Sequence, residues 1–287
     1  MTWLVTGARG MLGTDLCRLL DDRRIPTTAV DRGDLDLLDE EAVSAAVKGH
    51  DVVVNCAAWT AVDDAEADEA AAAETNATVP GVLARAANRH GARLVQISTD
   101  YVFDGVATTP YAEDDPVAPR SAYGRTKAAG EEAVLKEAPE QHLIVRTAWL
   151  YGAHGGCFPR TIARVARERG AVEVVDDQHG QPTWTMDVAD LVVRLVEKDA
   201  PPGVWHATSS GQTTWFDFAR RVVAAAGMSE EIVTPTDSST FTRPAPRPAY
   251  SVLGHDRLHR HGIAPIGPWQ ERWVTAASEV LSLDESE

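Results

Sequence analysis

The chain has 287 residues, of which 44% are hydrophobic, and its 27 basic and 43 acidic side chains give a formal charge of −16. The length suits one large domain, or a main domain with a smaller attached region, and the composition is typical of soluble globular proteins. The negative charge argues against nucleic acid and against an anionic membrane as partners, because either would repel this surface.

The three cysteines (Cys17, Cys56 and Cys157) lie far apart and form no CxxC pair. They suit a reducing compartment, and they predict neither a disulfide framework nor a zinc site. No apolar run has the length of a membrane span, and no basic region precedes the first apolar run. We therefore expect no signal peptide and a cytoplasmic location.

Short apolar runs alternate with segments of helical period in the first half of the chain. Strands continuous in apolar residues and separated by helices indicate a parallel sheet that is covered on both faces. We predict an α/β fold, a Rossmann-type doubly wound parallel sheet, in which residues 1–150 form the dinucleotide-binding domain. The strands are predicted at 3–6, 27–31, 51–58, 92–99 and 142–152, with helical segments that include 11–22, 63–90 and 121–137.

The alternation loosens after about residue 150, where helices are predicted at 158–169, 186–198, 214–226 and 269–283. Residues 151–287 are expected to form a smaller, mainly substrate-binding region, with some segments returning to the core. Residues 234–250, TPTDSSTFTRPAPRPAY, are rich in Pro, Ser and Thr, a composition found in disordered linkers. Their aromatic residues and arginines favour an ordered substrate loop instead.

A glycine-rich stretch, GARGMLG, follows the first predicted strand and opens the first helix. In that context Gly7 permits a tight turn and Gly10 lets a pyrophosphate approach the backbone. Gly13 lets the helix pack closely on the sheet. The stretch therefore predicts a dinucleotide site.

Asp31 closes the second predicted strand, where a carboxylate can accept hydrogen bonds from the adenosine ribose. Such a carboxylate favours NADH and repels the 2′-phosphate of NADPH. Arg9 and Arg32 lie close by in the sequence, and either guanidinium could pair with that phosphate. We predict that NADH is preferred and NADPH tolerated.

Tyr123 and Lys127 form a Y-x-x-x-K pattern, whose spacing places the phenol and the ammonium on one helix face. A nearby ammonium lowers the pKa of a phenol from its usual value of about 10, which suits proton transfer at an alcohol or a ketone. Thr99 ends the fourth predicted strand, at the edge where parallel sheets bind ligands. Its hydroxyl could donate a hydrogen bond to the substrate oxygen beside Tyr123.

With these motifs the chain resembles the extended short-chain dehydrogenase/reductases and, within them, the dTDP-4-dehydrorhamnose reductases. STDYVFDG, RTAWLYG and DQHGQPT separate this branch from epimerases and dehydratases better than the glycine stretch does. The matching motifs extend over nearly the whole chain in the family's order: GARGMLG (7–13), DLDLLD (34–39), NCAAWTAVDDAE (55–66), ISTDYVFDG (97–105), YGRTK (123–127), RTAWLYG (146–152), DDQHGQPTW (176–184) and RPAYSVLGHD (247–256).

The resemblance implies NAD(P)H-dependent reduction of the C4 ketone of a dTDP-4-dehydro-6-deoxy-L-hexose, above all of dTDP-4-dehydrorhamnose to dTDP-L-rhamnose. It implies that Thr99, Tyr123 and Lys127 are catalytic, with Tyr123 and Lys127 also facing the cofactor. The other implied cofactor contacts are Gly7, Gly10, Met11, Leu12 and Gly13 at the pyrophosphate loop, Asp31 at the adenosine ribose, Asp36 and Leu37 at the adenine, and Ala58, Trp59 and Thr60 near the nicotinamide. The implied substrate contacts are Thr99, Asp100, Trp149, Arg247 and Ser251.

The chain departs from the family pattern at a few positions. Trp59 stands where tyrosine or histidine is often found, Tyr250 where asparagine is common and Met11 where glutamine is frequent. None of these changes removes a catalytic group. Some relatives bind Mg²⁺ through glutamates at a dimer interface, but those glutamates cannot be matched to this chain, so we assign no metal ligand. A monomer and a homodimer both stay open.

Two other patterns receive structural interpretations. His255, His259 and His261 have a spacing that a metal could use, but no carboxylate or cysteine completes the set, which favours a surface helix end. The acidic stretch 63–74 is expected to be a solvated helix face.

Two alternative functions also stay open: a nucleotide-sugar epimerase or dehydratase with tightly bound NAD, and a non-catalytic NADP-binding regulatory subunit.

Overall fold

The protein, described here by a computed structural model, is defined over residues 1–137 and 139–282. Its strands are β1 (Trp3–Thr6), β2 (Thr27–Val30), β3 (Val52–Asn55), β4 (Arg93–Thr99), β5 (Leu143–Thr147), β6 (Leu150–Tyr151), β7 (Val172–Val175), β8 (His179–Gly180), β9 (Thr183–Trp184), β10 (Gly203–His206), β11 (Ser209–Ser210), β12 (Thr213–Thr214), β13 (Val233–Thr236) and β14 (Ile266–Pro268). Its helices are α1 (Met11–Asp22), α2 (Glu40–Val47), α3 (Val62–Ala67), α4 (Glu69–Ala73), α5 (Val79–His90), α6 (Ala122–Glu137), α7 (Phe158–Arg169), α8 (Thr185–Glu197), α9 (Trp215–Ala225), α10 (Asp256–Arg260) and α11 (Trp269–Leu281), and a π-helical turn (Glu74–Thr78) joins α4 to α5.

A six-stranded parallel sheet in the order β10-β5-β4-β3-β1-β2 forms the centre of the molecule, which confirms the predicted fold class. Strands β1, β3 and β5 are buried along their whole length, because apolar clusters cover both faces of the sheet. The chain crosses from one side of β1 to the other between β2 and β3. This reversal of strand order opens a crevice at the carboxyl ends of β1 and β3, where such sheets bind ligands.

The second half of the chain contributes to two cores. Helix α8 and strand β10 pack into the core of the main sheet, and α8 lies against α1. A separate aromatic core is built around Phe218, with Tyr151, Trp269 and Trp273 within 6 Å of its ring. The region after residue 150 therefore has its own apolar centre and still returns two elements to the main sheet.

The structure differs from the predicted elements at several points. The segment 63–90 is divided into α3, α4, the π-helical turn and α5, with a break at Asp68, whose side chain caps α4. The segment 142–152 is two strands, because Trp149 adopts φ +47° between them. Strand β10 was not predicted, because GVWH begins with a glycine and ends with a histidine and so lacks a continuous apolar run. In the last helix, position 283 lies outside the described residues.

Residues 234–250 are ordered, as the second interpretation expected. Tyr250 pairs with Val106 and with His179 in isolated β-bridges, and its hydroxyl donates to Gln212 at 3.0 Å. Residues 237–251, which contain most of this segment, are called the substrate loop from here on, after the role that the sequence predicts for it. Within the described residues, no helix combines the length and apolar character that a membrane crossing requires.

Candidate active site

The glycine turn between β1 and α1 has the geometry that its sequence predicts. Gly7 has φ +64°, and a Cβ at this position would lie 2.5 Å from the backbone nitrogen of Ala57. A Cβ on Gly13 would lie 2.2 Å from the carbonyl oxygen of Gly7, so only glycine lets α1 approach the turn so closely. No side chain caps the first turn of α1. Its backbone N–H groups are therefore suited to bind a phosphate.

A cavity of about 770 Å³ extends from this turn along the ends of β2 and β3. Leu12 lies in the main core. Trp59 packs against the alanine cluster of Ala65, Ala72 and Ala122, and its indole donates to the carbonyl of Ala61. Thr60 is exposed. The predicted cofactor residues that line the cavity are Gly7, Gly10, Asp31, Asp36, Leu37 and Ala58.

Asp31 follows β2 directly and is held by the backbone. Its Oδ2 accepts from the N–H of Arg9 at 2.9 Å, and its Oδ1 accepts from the N–H of Arg32 at 2.7 Å. These two backbone hydrogen bonds hold the pKa of Asp31 below its usual value. The guanidinium of Arg9 pairs with Asp34 at 3.3 Å. An ionised carboxylate therefore faces the cavity at the predicted ribose position.

Helix α6 brings Tyr123 and Lys127 to the carboxyl end of β4. A Cβ on Gly124 would lie 2.2 Å from the carbonyl oxygen of Tyr101, so the helix packs directly on the segment after β4. The Lys127 ammonium is buried and donates to the carbonyl of Ile97, a β4 residue, at 2.7 Å. Lys127 is thus not a surface residue, and Tyr123 is partly buried.

Thr99 is the last residue of β4 and lies beside Tyr123. Its hydroxyl donates to Oδ1 of Asp100 at 2.9 Å, and it is close enough to Tyr123 to lower the pKa of that phenol. Oδ2 of Asp100 is buried and, among the described residues, accepts no hydrogen bond. A buried acceptor of this kind is suited to a hydroxyl that a ligand brings. Ser251, the last residue of the substrate loop, also lies against Asp100.

Burial dominates the proton equilibria of these groups. It raises the pKa of Tyr123 to about 12 and that of Asp100 to about 6, and it lowers the pKa of Lys127 to about 8. The prediction that the ammonium lowers the Tyr123 pKa is therefore wrong. Here the ammonium is directed at a carbonyl, and the phenol is protonated throughout the neutral range.

A second cavity, of about 530 Å³, lies between α7, β7, α9 and the substrate loop. Of the predicted substrate residues, Arg247 lines it. Trp149 lies behind its wall, with its indole stacked 3.5 Å from that of Trp215 and packed against Gly180, where a Cβ would lie 2.3 Å from the ring. The positive φ of Trp149 is the kind of strain that concentrates at functional sites.

Most of this second cavity was missed by the sequence reasoning. The aromatic residues Phe158, Trp215 and Phe241 line it together with Gln178 and Arg243. Phe158 and Trp215 begin two different helices, and no motif gave either of them a role. Gln178 lies in the DDQHGQPTW motif, and Phe241 and Arg243 lie in the segment whose aromatic residues and arginines favoured a substrate loop, but none of the three was singled out.

The acidic stretch 63–74 is not simply a solvated face. Glu66 accepts the backbone N–H of Ala122 at 2.7 Å, at the start of α6, and Glu69 accepts both sides of the Arg125 guanidinium at 2.7 and 2.8 Å. Asp63 binds the substrate loop through Arg247. These carboxylates connect the catalytic helix to its surroundings, a function that helical periodicity cannot reveal.

The histidine pattern also differs in part from its prediction. His259 and His261 are exposed, but His255 is half-buried, bonds to the hydroxyl of Thr208 at 2.9 Å, and has a pKa lowered to about 4 by burial. Over the described ranges, no three or more His, Cys, Asp or Glu side chains gather where a metal ion could bind.

Comparison with known proteins agrees with this geometry. A family model described as the RmlD substrate binding domain matches residues 1–282. A probable dTDP-4,6-dihydroxy-2-methyloxan-3-one 4-ketoreductase of Streptomyces antibioticus is 50% identical over 99% of this chain and 97% of its own. A dTDP-4-dehydrorhamnose reductase of Streptomyces griseus is also 50% identical, over 93% of this chain and 90% of its own. The crystal structure of the Bacillus anthracis dTDP-4-dehydrorhamnose reductase in complex with NADP superposes with a TM-score of 0.91 at 34% identity, covering 96% of this chain and 99% of that chain.

Proposed function

Because the chain belongs to the dTDP-4-dehydrorhamnose reductase family, we propose that it reduces the C4 ketone of a dTDP-4-dehydro-6-deoxy-L-hexose, above all dTDP-4-dehydrorhamnose, with NAD(P)H. The observation that carries this proposal is the placement of Thr99, Tyr123 and Lys127 at the end of β4. Of two relatives at 50% identity, one is named for dehydrorhamnose and the other for a different deoxyhexose ketone. Sequence identity to these relatives therefore supports the class of reaction more strongly than it supports a particular sugar.

The residues around the larger cavity fit a dinucleotide. The Gly7 turn and the uncapped start of α1 would hold the pyrophosphate, and Asp31 would accept both hydroxyls of the adenosine ribose. Its ionised carboxylate supports a preference for NADH, while the exposed guanidinium of Arg9 supports tolerance of NADPH. The bound reduced nicotinamide supplies the hydride.

The protein's own groups would manage the ketone oxygen. Tyr123, whose phenol is protonated at neutral pH, is ready to donate its proton to the developing alkoxide. Thr99 would turn its hydroxyl from Asp100 to the ketone oxygen, and Lys127 would hold the nicotinamide ribose next to Tyr123. Asp100 would accept a sugar hydroxyl through its unpaired Oδ2. A phenol that starts protonated can supply the proton that reduction of a ketone requires.

The two alternatives have less support. Dehydratases commonly place a glutamate directly after the aspartate that follows the catalytic hydroxyl, and Tyr101 occupies that position here. A regulatory subunit would not need the buried Lys127 ammonium, which is costly to maintain without a catalytic use.

The test is a spectrophotometric assay with dTDP-4-keto-6-deoxy-L-mannose, in which NADH and NADPH are compared and the product is identified by NMR. We expect one equivalent of cofactor to be consumed for each sugar reduced. Turnover of the sugar with no net consumption would indicate an epimerase or dehydratase. Cofactor binding without reduction of any dTDP-4-keto sugar would indicate the regulatory subunit.

A further inference from the structure

Two arginines of the substrate loop line the 530 Å³ cavity, and their surroundings differ. Arg247 is mostly buried, donates from Nη2 to Oδ2 of Asp63 at 2.7 Å, and donates from Nη1 to the carbonyl of Ala245 at 3.0 Å. Arg243 is 54% exposed and lies 3.7 Å from the same Asp63 oxygen. One guanidinium is thus fixed in place, and the other is free to reorient.

Asp63 is the reason for this difference. Its Oδ1 accepts the backbone N–H of Ala245 at 3.2 Å, so the carboxylate binds the loop both through its backbone and through the side chain of Arg247. Burial raises the pKa of Asp63, but the hydrogen bonds from Arg247 and Ala245 outweigh it and hold the pKa below its usual value. The carboxylate is therefore ionised, and it matches the charge of Arg247 at short range.

The position of Asp63 also connects the loop to the catalytic helix. Asp63 lies in the first turn of α3, and Glu66 in the same helix accepts the N–H of Ala122 at the start of α6. A loop held by Asp63 is thereby held in register with Tyr123. We propose that Arg247, held by its ion pair with Asp63, anchors the substrate loop. We propose that Arg243 is the guanidinium that pairs with the diphosphate of a thymidine diphosphate-linked sugar.

The lining of the cavity supports this division. Phe158, Trp215 and Phe241 offer flat apolar surfaces for a base, and Glu173 is the one carboxylate among the described lining residues. A diphosphate is bound best by a guanidinium that can turn its N–H groups toward it, and the short bonds of Arg247 to Asp63 and to the carbonyl of Ala245 hold that side chain in place. Arg243, which is half-exposed and lies 3.7 Å from Asp63, can reorient more readily. The inference rests on the proposed function, because that function supplies the diphosphate.

The experiment measures binding of dTDP and of thymidine, without a sugar, to the full chain and to four variants. Arg243→Gln is expected to weaken dTDP binding by about 10–100-fold, the range of one hydrogen bond to a charged group, and to leave thymidine binding unchanged. Asp63→Asn and Arg247→Gln are expected to weaken both ligands, because each releases the loop that forms the wall. Arg164→Gln is the control: it removes an equal charge from the exposed Arg164–Glu168 pair of α7 and should leave the affinities for dTDP and for thymidine unchanged.

The pattern of lost dTDP binding shows which arginine pairs with the diphosphate. If Arg247→Gln, rather than Arg243→Gln, selectively loses dTDP, the assignment of the two arginines is reversed and the proposal is wrong. If wild type binds dTDP and all the variants bind it equally well, neither arginine pairs with the diphosphate. A wild-type chain that binds no dTDP would instead overturn the proposed function. NADH affinity, measured on every variant, establishes that each one is folded.

Discussion

The carboxylate of Asp31 is bonded on both oxygens by backbone N–H groups, from Arg9 at 2.9 Å and from Arg32 at 2.7 Å. Because its partners are backbone groups, the orientation of the carboxylate does not depend on mobile side chains. Both oxygens keep lone pairs that can face the cavity. A ribose with two free hydroxyls would complete this arrangement, whereas a 2′-phosphate would meet an ionised group.

Replacing Asp31 with Ala should therefore change the cofactor preference. We expect kcat/KM for NADH to fall by about 10–100-fold, as for the loss of a hydrogen bond to a charged group, and that for NADPH to fall less or to rise. Steady-state kinetics with both cofactors measures the ratio. Asp34→Ala is the comparison, because it frees the Arg9 guanidinium without removing the ribose acceptor. An unchanged ratio in Asp31→Ala would remove this residue from cofactor selection.

Tyr123→Phe tests the proton donor. Turnover should fall by about 10²–10⁴-fold, the usual contribution of a positioned general acid. The NADH dissociation constant should hold, since only a hydroxyl is removed. Tyr111→Phe is the matched control, because it deletes a phenol that bonds to Asp104 away from both cavities. Full turnover by Tyr123→Phe would show that another group protonates the alkoxide.

Asp100 should impose an acidic limb on the pH profile. Burial raises its pKa to about 6, so the carboxyl becomes protonated as pH falls through that value and stops acting as a pure acceptor. We expect kcat/KM for the sugar to decline below about pH 6 in wild type. Asp100→Asn should have a lower plateau without that limb. A limb that persists unchanged in the variant would have to come from another group.

The fold was predictable because its strands are continuous apolar runs of ordinary length. The parallel sheet and the Gly7 turn follow from patterns that lie within a few residues of one another, and the resemblance to the reductase family was confirmed. The roles given to single site residues stay predictions. Strand β10 was missed because a glycine and a histidine interrupt its apolar run, and the break at Trp149 was missed because a positive φ leaves no mark in the sequence.

The second cavity could not be predicted for a different reason. Its walls come from α7, β7, α9 and the substrate loop, and no short-range pattern brings these segments together. The same applies to the acidic stretch. Charge spacing on a helix indicates exposure, but the partners of Asp63 and Glu66 are 182 and 56 residues away.

The buried ammonium of Lys127 should lower the free energy of unfolding at neutral pH, although activity requires it. Burial lowers its pKa from 10.5 to about 8, so between these values the unfolded chain binds more protons than the folded one. The free energy of unfolding of wild type should therefore rise as pH increases from 8 toward 10.5. Lys127→Met, which keeps most of the volume, should be more stable than wild type at pH 7 and should lose turnover.

Denaturant titrations of wild type and Lys127→Met at pH 7 and pH 9.5 test this prediction. The stability advantage of the variant should narrow at the higher pH, where the wild-type ammonium has lost its proton. Lys136→Met, at the last turn of the same helix, is the control, because it removes an ammonium that is exposed to solvent. A variant that is less stable than wild type at both pH values would show that the hydrogen bond to Ile97 outweighs the burial of the charge.

Glu131 and Arg146 form a buried pair behind the catalytic helix. The guanidinium donates to both carboxylate oxygens at 2.9 and 2.7 Å, and both side chains are at most 5% exposed. Glu131→Gln leaves the Arg146 charge without a matching anion, so the free energy of unfolding should fall by about 3–5 kcal/mol. Because Glu131 also raises the pKa of Lys127, the variant should move that pKa further down.

Both effects can be measured against Glu132→Gln, in which the neighbouring exposed carboxylate of α6 is changed in the same way. Urea denaturation gives the stability. Loss of the Lys127 proton near pH 8 should lower kcat/KM on the basic side of the pH profile, and this basic limb should move to lower pH only in Glu131→Gln. The two readouts separate a structural role from an electrostatic one, since a loosened core would reduce turnover at every pH alike. A basic limb that stays in place while stability falls would mean that Glu131 supports the fold and does not set the charge of Lys127.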